Sequence, residues 1–121
     1  ANLFGDIISD EGTGLTGTAG LFGSAELSVS GKGLYTPNQL HYPDEPVIGQ
    51  QKVSPIGMII AAALMLRCSF GLEEEAKAVE RAVEKVLEEK ITTDDMKYPG
   101  AKVVLTGEIA DLCCQFFGKN V

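Results

Sequence analysis

The chain is poor in the residues that mark several large functional classes. It carries 10 lysines and arginines against 17 aspartates and glutamates, a formal charge of −7, and no segment gathers the basic residues. A surface built for nucleic acid or for an anionic membrane needs a segregated positive patch, so neither partner is expected. There is one histidine and no Cys-x-x-Cys, which excludes the common zinc sites. The three cysteines cannot all pair, and Cys113 and Cys114 are neighbours on an expected helix, where a mutual disulfide would be strained. Reduced thiols in a cytoplasmic protein follow from that pattern. The most apolar run, Ile56 to Leu66, is eleven residues long and stops at Arg67. That is short of the ~20 a membrane helix needs, so the run reads as a buried helix. No basic stretch followed by an apolar one marks the first residues as a secretory signal.

What is present suits one compact domain over residues 1–121, with 45% hydrophobic residues, an ordinary share for a globular core. Asp6 to about Thr18 suits a short helix, although Gly12 and Gly14 each cost about 1 kcal/mol relative to alanine there. Such a helix needs tertiary support. Ala25, Leu27 and Val29 alternate with Glu26, Ser28 and Ser30, the pattern of a half-buried strand, and Gly31-Lys-Gly33 reads as its turn. Leu34-Tyr35 would begin a second, short strand. Between Thr36 and Pro55 four prolines accompany Asn, Gln and Asp, giving a loop of about twenty residues, long enough to suggest function or docking.

Pro55 fits the first position of a helix capped by Ser54 and ended by Phe70-Gly71. Leu72, Ala76, Val79, Val83, Val86 and Leu87 then form the apolar stripe of a second helix, whose other face is charged and solvated. Lys102 to Leu105 is a short apolar segment. Thr106 is placed as the cap of a last helix that Gly118 stops.

One acidic pair stands out. Asp6 and Asp10 lie at i and i+4, so a helix would project both carboxylates from one face, a workable pair for a hard divalent cation. Pairs with that spacing also occur on many solvated helix faces, so the spacing leaves both readings open.

The surrounding residues weigh the choice. Asn2-Leu-Phe-Gly-Asp-Ile-Ile-Ser-Asp-Glu11, with Leu15-Thr-Gly-Thr-Ala-Gly-Leu21 and Ser24-Ala25, resembles the signature of the isocitrate and isopropylmalate dehydrogenase family, metal-dependent NAD(P) enzymes that oxidise and decarboxylate 2-hydroxy acids. Gly33-Leu-Tyr35, Pro55-Ile-Gly-Met-Ile59, Ala62 to Arg67, Ser69 to Glu75, Glu80 to Leu87 and Lys102-Val-Val104 extend the resemblance in order and spacing over essentially the whole chain. The resemblance implies an α/β, truncated isopropylmalate-dehydrogenase-like fold of about four helices with two or three short strands, corresponding to the last third of the family enzymes. It implies that Asp6 and Asp10 are the two metal ligands, for Mg²⁺ or Mn²⁺, that come from the subunit carrying this motif. A third aspartate comes from a partner subunit in the family. The substrate-clamping arginines and the catalytic tyrosine and lysine belong to the front part, so no catalytic residue is assigned here.

Two departures matter. Aligned backwards from Pro55, the long loop keeps His41 and Gly49 of the family's adenosine-holding loop, but Tyr42-Pro-Asp-Glu-Pro46 replaces Gly-Ser-Ala-Pro-Asp. Small residues let a loop backbone approach an adenine ring, whereas Tyr42, Pro43 and Pro46 demand another path. The implied NAD site is degraded, with His41 the remaining candidate contact. Gly12 and Gly14 also replace larger helix formers, which predicts a loose metal helix. Together these features lead us to expect a chain that does not catalyse alone and that binds a metal or ligand. It is expected to assemble as a homo-oligomer or with a complementary dehydrogenase chain, because apolar surface from Ile56 to Leu66 would otherwise be exposed.

Overall fold

The structure, a computed structural model, describes residues 2–38 and 48–118. Its elements are α1 (Asn2–Thr13), β1 (Gly23–Leu27), β2 (Gly33–Pro37), α2 (Ile56–Phe70), α3 (Glu73–Glu88), β3 (Ile91–Thr92), β4 (Lys102–Val103) and α4 (Thr106–Gly118), with 3-10 turns at Ala19–Leu21 and Asp94–Met96. This is the mixed α/β arrangement of four helices and a few short strands expected from the sequence, with the strands in two small sheets.

The centre of the fold is the α2–α3 hairpin. Pro55, expected as the first helical residue, instead takes the cap position just before Ile56, and the Ser54 hydroxyl accepts the Ile56 N–H at 3.3 Å from one residue further out. At the other end Gly71 takes the left-handed conformation (φ 66°), and the Leu72 N–H reaches back to the Leu66 carbonyl at 3.0 Å, closing the turn. Arg67 then ties the two helices together. Its guanidinium forks onto both carboxylate oxygens of Glu80, at 2.7 and 2.8 Å, and its Nε donates to Glu73 at 2.8 Å.

The stripe on α3 meets α2 and α4 in a core of Ile56, Val83, Val86, Ile91, Ile109 and Cys113. Leu21, Ile59, Leu112 and Phe116 pack around it. Strand β3 runs parallel to β4, pairing Ile91 with Lys102 and Thr92 with Val103. β3 was not picked out in the sequence, because two residues are too few to show a period.

The β1–β2 hairpin is antiparallel, from Gly23 opposite Pro37 to Leu27 opposite Gly33. It lies on another side of α2, and the approach is close. A Cβ at Gly23 would sit 2.4 Å from the Ala61 nitrogen, and one at Gly57 would sit 2.8 Å from the Phe22 carbonyl oxygen. Glycine is required at both contacts.

Three further local expectations are corrected. α1 begins and ends earlier than the Asp6–Thr18 expected, stopping at Thr13 where Gly14 and Gly17 turn the chain. Leu27 and Val29 alternate with polar residues but are not covered: Leu27 is 56% exposed and Val29 lies beyond the strand, fully exposed. The inner face is covered only at its Gly23–Ala25 end, where α2 passes beneath it. Thr106 is not a cap. It is the first residue of α4, and its hydroxyl donates to the Val53 carbonyl at 2.7 Å, while Glu108 reaches back to accept the Leu105 N–H at 2.8 Å.

Candidate metal helix and loop anchor

Both candidate metal ligands, Asp6 and Asp10, fall within α1, one turn apart along the helix. His41 lies outside the described residues. Among the described residues no group of three or more His, Cys, Asp or Glu is placed to hold a metal ion. A hard divalent cation takes six or more oxygen ligands, so a two-carboxylate helix is at most one wall of such a site.

The rest of α1 shows how the helix stands. Phe4, Ile7 and Ile8 are 65, 51 and 73% exposed, and a Cβ at Gly5 or Gly12 would meet nothing within 4 Å. The support that a glycine-bearing helix needs is thus not supplied by the core of this chain at those side chains.

The second feature is the anchored exit of the long loop, which sequence reasoning missed. Asp95 bonds it at two points: one carboxylate oxygen accepts the Ser54 N–H at 3.1 Å, and the Asp95 N–H donates to the Lys52 carbonyl at 3.3 Å, while the other carboxylate oxygen accepts the neighbouring Thr93 hydroxyl. Thr106 adds two bonds, its N–H to the Gln51 carbonyl at 2.8 Å and its hydroxyl to Val53. Gln51 itself sits at φ 53°, a conformation a non-glycine residue keeps only when its surroundings hold it. The partner of Asp95, Ser54, is 41 residues away in sequence, and no local rule could name it.

Charge elsewhere is structural. The Arg67 guanidinium beside Glu80 holds that carboxyl below the usual glutamate range, against a smaller opposing effect of burial. Lys97, bonded to Asp94 at 2.8 Å, lowers the aspartate in the same way on the surface. Burial pushes the Cys113 thiol up to about 11, while Cys68 and Cys114 are exposed; all three are free. Among the described residues no helix is long and apolar enough to cross a membrane.

A model of the isocitrate/isopropylmalate dehydrogenase family matches residues 1–113, and the chain belongs to that family. It is 46% identical over 110 residues to the 3-isopropylmalate dehydrogenase of Heyndrickxia coagulans, covering 91% of this chain and 30% of that protein. The Geobacillus kaustophilus enzyme of the same name is also 46% identical, over 91% of this chain and 29% of its own length. That of Neisseria meningitidis serogroup B is 44% identical over 91% and 30%. The chain spans about 30% of the length of these curated relatives.

Proposed function

We propose that this chain is the metal-helix part of a decarboxylating dehydrogenase assembly of the 3-isopropylmalate type, not catalytic by itself. The observation that carries the reading is the 46% identity over 110 residues to 3-isopropylmalate dehydrogenases, within a chain that spans 30% of their length. Asp6 and Asp10 supply two oxygen ligands to Mg²⁺ or Mn²⁺, and the remaining ligands come from a second chain and from water. When bound, such a cation would supply Lewis-acid polarisation of a 2-hydroxy acid's oxygens, while hydride transfer needs a nicotinamide cofactor and a base from elsewhere. With Tyr42, Pro43 and Pro46 in the adenosine loop, NAD is held less well than in the relatives, and His41 is its candidate contact here. The chain works in the cytoplasm, as three free thiols suit. It assembles as a homo-oligomer or with a complementary dehydrogenase chain.

Two measurements test this together. Calorimetric titration with Mn²⁺ is expected to show binding by the wild-type chain and its loss in Asp6→Asn and in Asp10→Asn. Reduction of NAD with 3-isopropylmalate is expected to be absent for the chain alone and present when it is co-expressed with the part of the Heyndrickxia coagulans enzyme that it does not span. Equal Mn²⁺ binding by all three proteins would remove the metal role, and turnover by the chain alone would remove the assembly.

A further inference from the structure

Residues 51–54, at the exit of the long loop, are four in a row, and the backbone of each is bonded to a residue distant in sequence. The Gln51 and Val53 carbonyls accept the N–H and the hydroxyl of Thr106, at 2.8 and 2.7 Å. The Lys52 carbonyl accepts the Asp95 N–H at 3.3 Å, and the Ser54 N–H donates to the Asp95 carboxylate at 3.1 Å.

Helix α2 does not need the bonds to residues 51–53. Its first N–H is already met by the Ser54 hydroxyl, and those three residues lie outside the helix. What the bonds fix is the path of the backbone. Gln51 sits at φ 53°, a conformation that a residue with a side chain keeps only when its surroundings impose it.

The groups that impose it stand on the core. Asp95 follows β3, where Ile91, Thr92 and Thr93 are 6, 2 and 0% exposed, and Thr106 opens α4 one turn before the fully buried Ile109. Thr93 also orients the carboxylate. Its hydroxyl donates to the Asp95 oxygen that Ser54 does not use, so both oxygens are engaged. A side chain whose own rotamer is held by its neighbours can hold a third group in place.

Resting on the proposed function, in which this loop meets NAD, we infer that Asp95 is a positioning residue for the cofactor loop. It acts through Lys52 and Ser54, with Thr106 as the second point of attachment. Two attachments on core-mounted elements define a direction as well as a position, so the chain from 51 to 54 follows one path. This reduces the ordering that nucleotide binding must otherwise supply, and a contribution of that kind is read in KM for NAD and not in kcat.

The test uses the chain co-expressed with the unspanned part of the Heyndrickxia coagulans enzyme, assayed by reduction of NAD with 3-isopropylmalate. Asp95→Ala loses two side-chain hydrogen bonds, so KM for NAD is expected to rise about tenfold with kcat unchanged, the factor that two bonds of ordinary strength are worth. KM for 3-isopropylmalate is expected to stay at the wild-type value. Asp95→Asn keeps an acceptor for the Ser54 N–H and is expected to restore most of the loss. Gln51→Pro leaves the Asp95 and Thr106 side chains in place but fixes φ at about −65°, and is expected to raise KM for NAD in the same way. Hydrogen exchange of the purified chain, read by mass spectrometry, is expected to quicken severalfold over residues 48–56 in Asp95→Ala and to stay unchanged in α3. Faster exchange in α3 as well marks an unfolded variant, and Gln51→Pro then decides the question. A working complex in which Asp95→Ala keeps the wild-type KM for NAD, or in which Asp95→Asn is as impaired as Asp95→Ala, overturns the positioning role alone. A wild-type complex that reduces no NAD overturns the proposed function and this role with it.

Discussion

Replacing Gly23 by alanine tests the contact on which the hairpin–helix packing depends. The added Cβ would lie 2.4 Å from the Ala61 nitrogen, 2.7 Å from its Cα and 2.9 Å from the Ile60 carbonyl carbon. Carbon atoms in proteins settle at ~3.5–4.0 Å, so the hairpin or α2 must retreat by about 1 Å. The obstructing atoms are helix backbone, which cannot rotate aside as a side chain would. Gly23 does not occupy a left-handed conformation, so the penalty is steric and owes nothing to backbone strain. Overpacking of this kind costs about 1–3 kcal/mol, and a clash with backbone places Gly23→Ala near the top of that range. With a urea m-value of about 2 kcal/mol/M, the unfolding midpoint followed by far-ultraviolet circular dichroism falls by roughly 1 to 1.5 M. Gly5→Ala is the control, because its Cβ meets nothing within 4 Å and alanine is the better helix former at a helical site. A Gly23→Ala midpoint equal to that of the wild type would refute the packing argument.

Four other outcomes are expected. Ile109, 0% exposed at the junction of α3 and α4, should lose about 0.5–1.5 kcal/mol as valine and about 2–5 kcal/mol as alanine, read by the same denaturation. The Arg67–Glu80 pair makes stability depend on pH. Because the folded carboxyl titrates below the unfolded one, its contribution is complete above the ordinary glutamate range of ~4.3 and is lost as pH falls through the lower folded value. Glu80→Gln should therefore flatten the stability curve in that acidic window, and a variant whose curve keeps the wild-type slope would contradict the assignment. Titration of native protein with a thiol reagent near pH 8 should modify Cys68 and Cys114 quickly and Cys113 only after unfolding, since its thiol is buried and raised to about 11. Finally, a Gly5→Ala/Gly12→Ala chain should show more helix by circular dichroism and tighter Mn²⁺ binding than wild type.

The elements that were legible in the sequence are those set by local rules. The glycine stop at Gly71 and the α3 stripe from Ala76 to Leu87 each depend on residues within a turn or two of one another, and each stands where the sequence put it. What stayed illegible depends on distant partners. The β3–β4 pairing needs only two residues from each strand, and the Asp95 anchor joins segments 41 residues apart. The alternation at Leu27 and Val29 misled because period two reports which side a residue faces, not whether anything lies there. At the candidate site, the spacing of Asp6 and Asp10 alone was ambiguous. Family resemblance through Asn2 to Glu11 supplied the rest, and His41 owes its candidacy wholly to that resemblance.

On the proposed function, α1 would link the metal pair to assembly. It is twelve residues long, and isolated helices shorter than about 12–15 residues are marginal in water even when rich in alanine. Gly5 and Gly12 weaken it by about 1 kcal/mol each relative to alanine. Its apolar side chains at Phe4, Ile7 and Ile8 are largely exposed, so little burial within this chain offsets that weakness. Anything that covers those side chains therefore favours the helical state, and so does a cation that bridges carboxylates one turn apart, since both act on the same coil-to-helix equilibrium. Two ligands that stabilise one conformational state strengthen each other reciprocally. On the proposed function, this weak helix makes metal affinity low in the separated chain and higher in the assembly. The cation is then held tightly only where a second chain is present to complete its coordination.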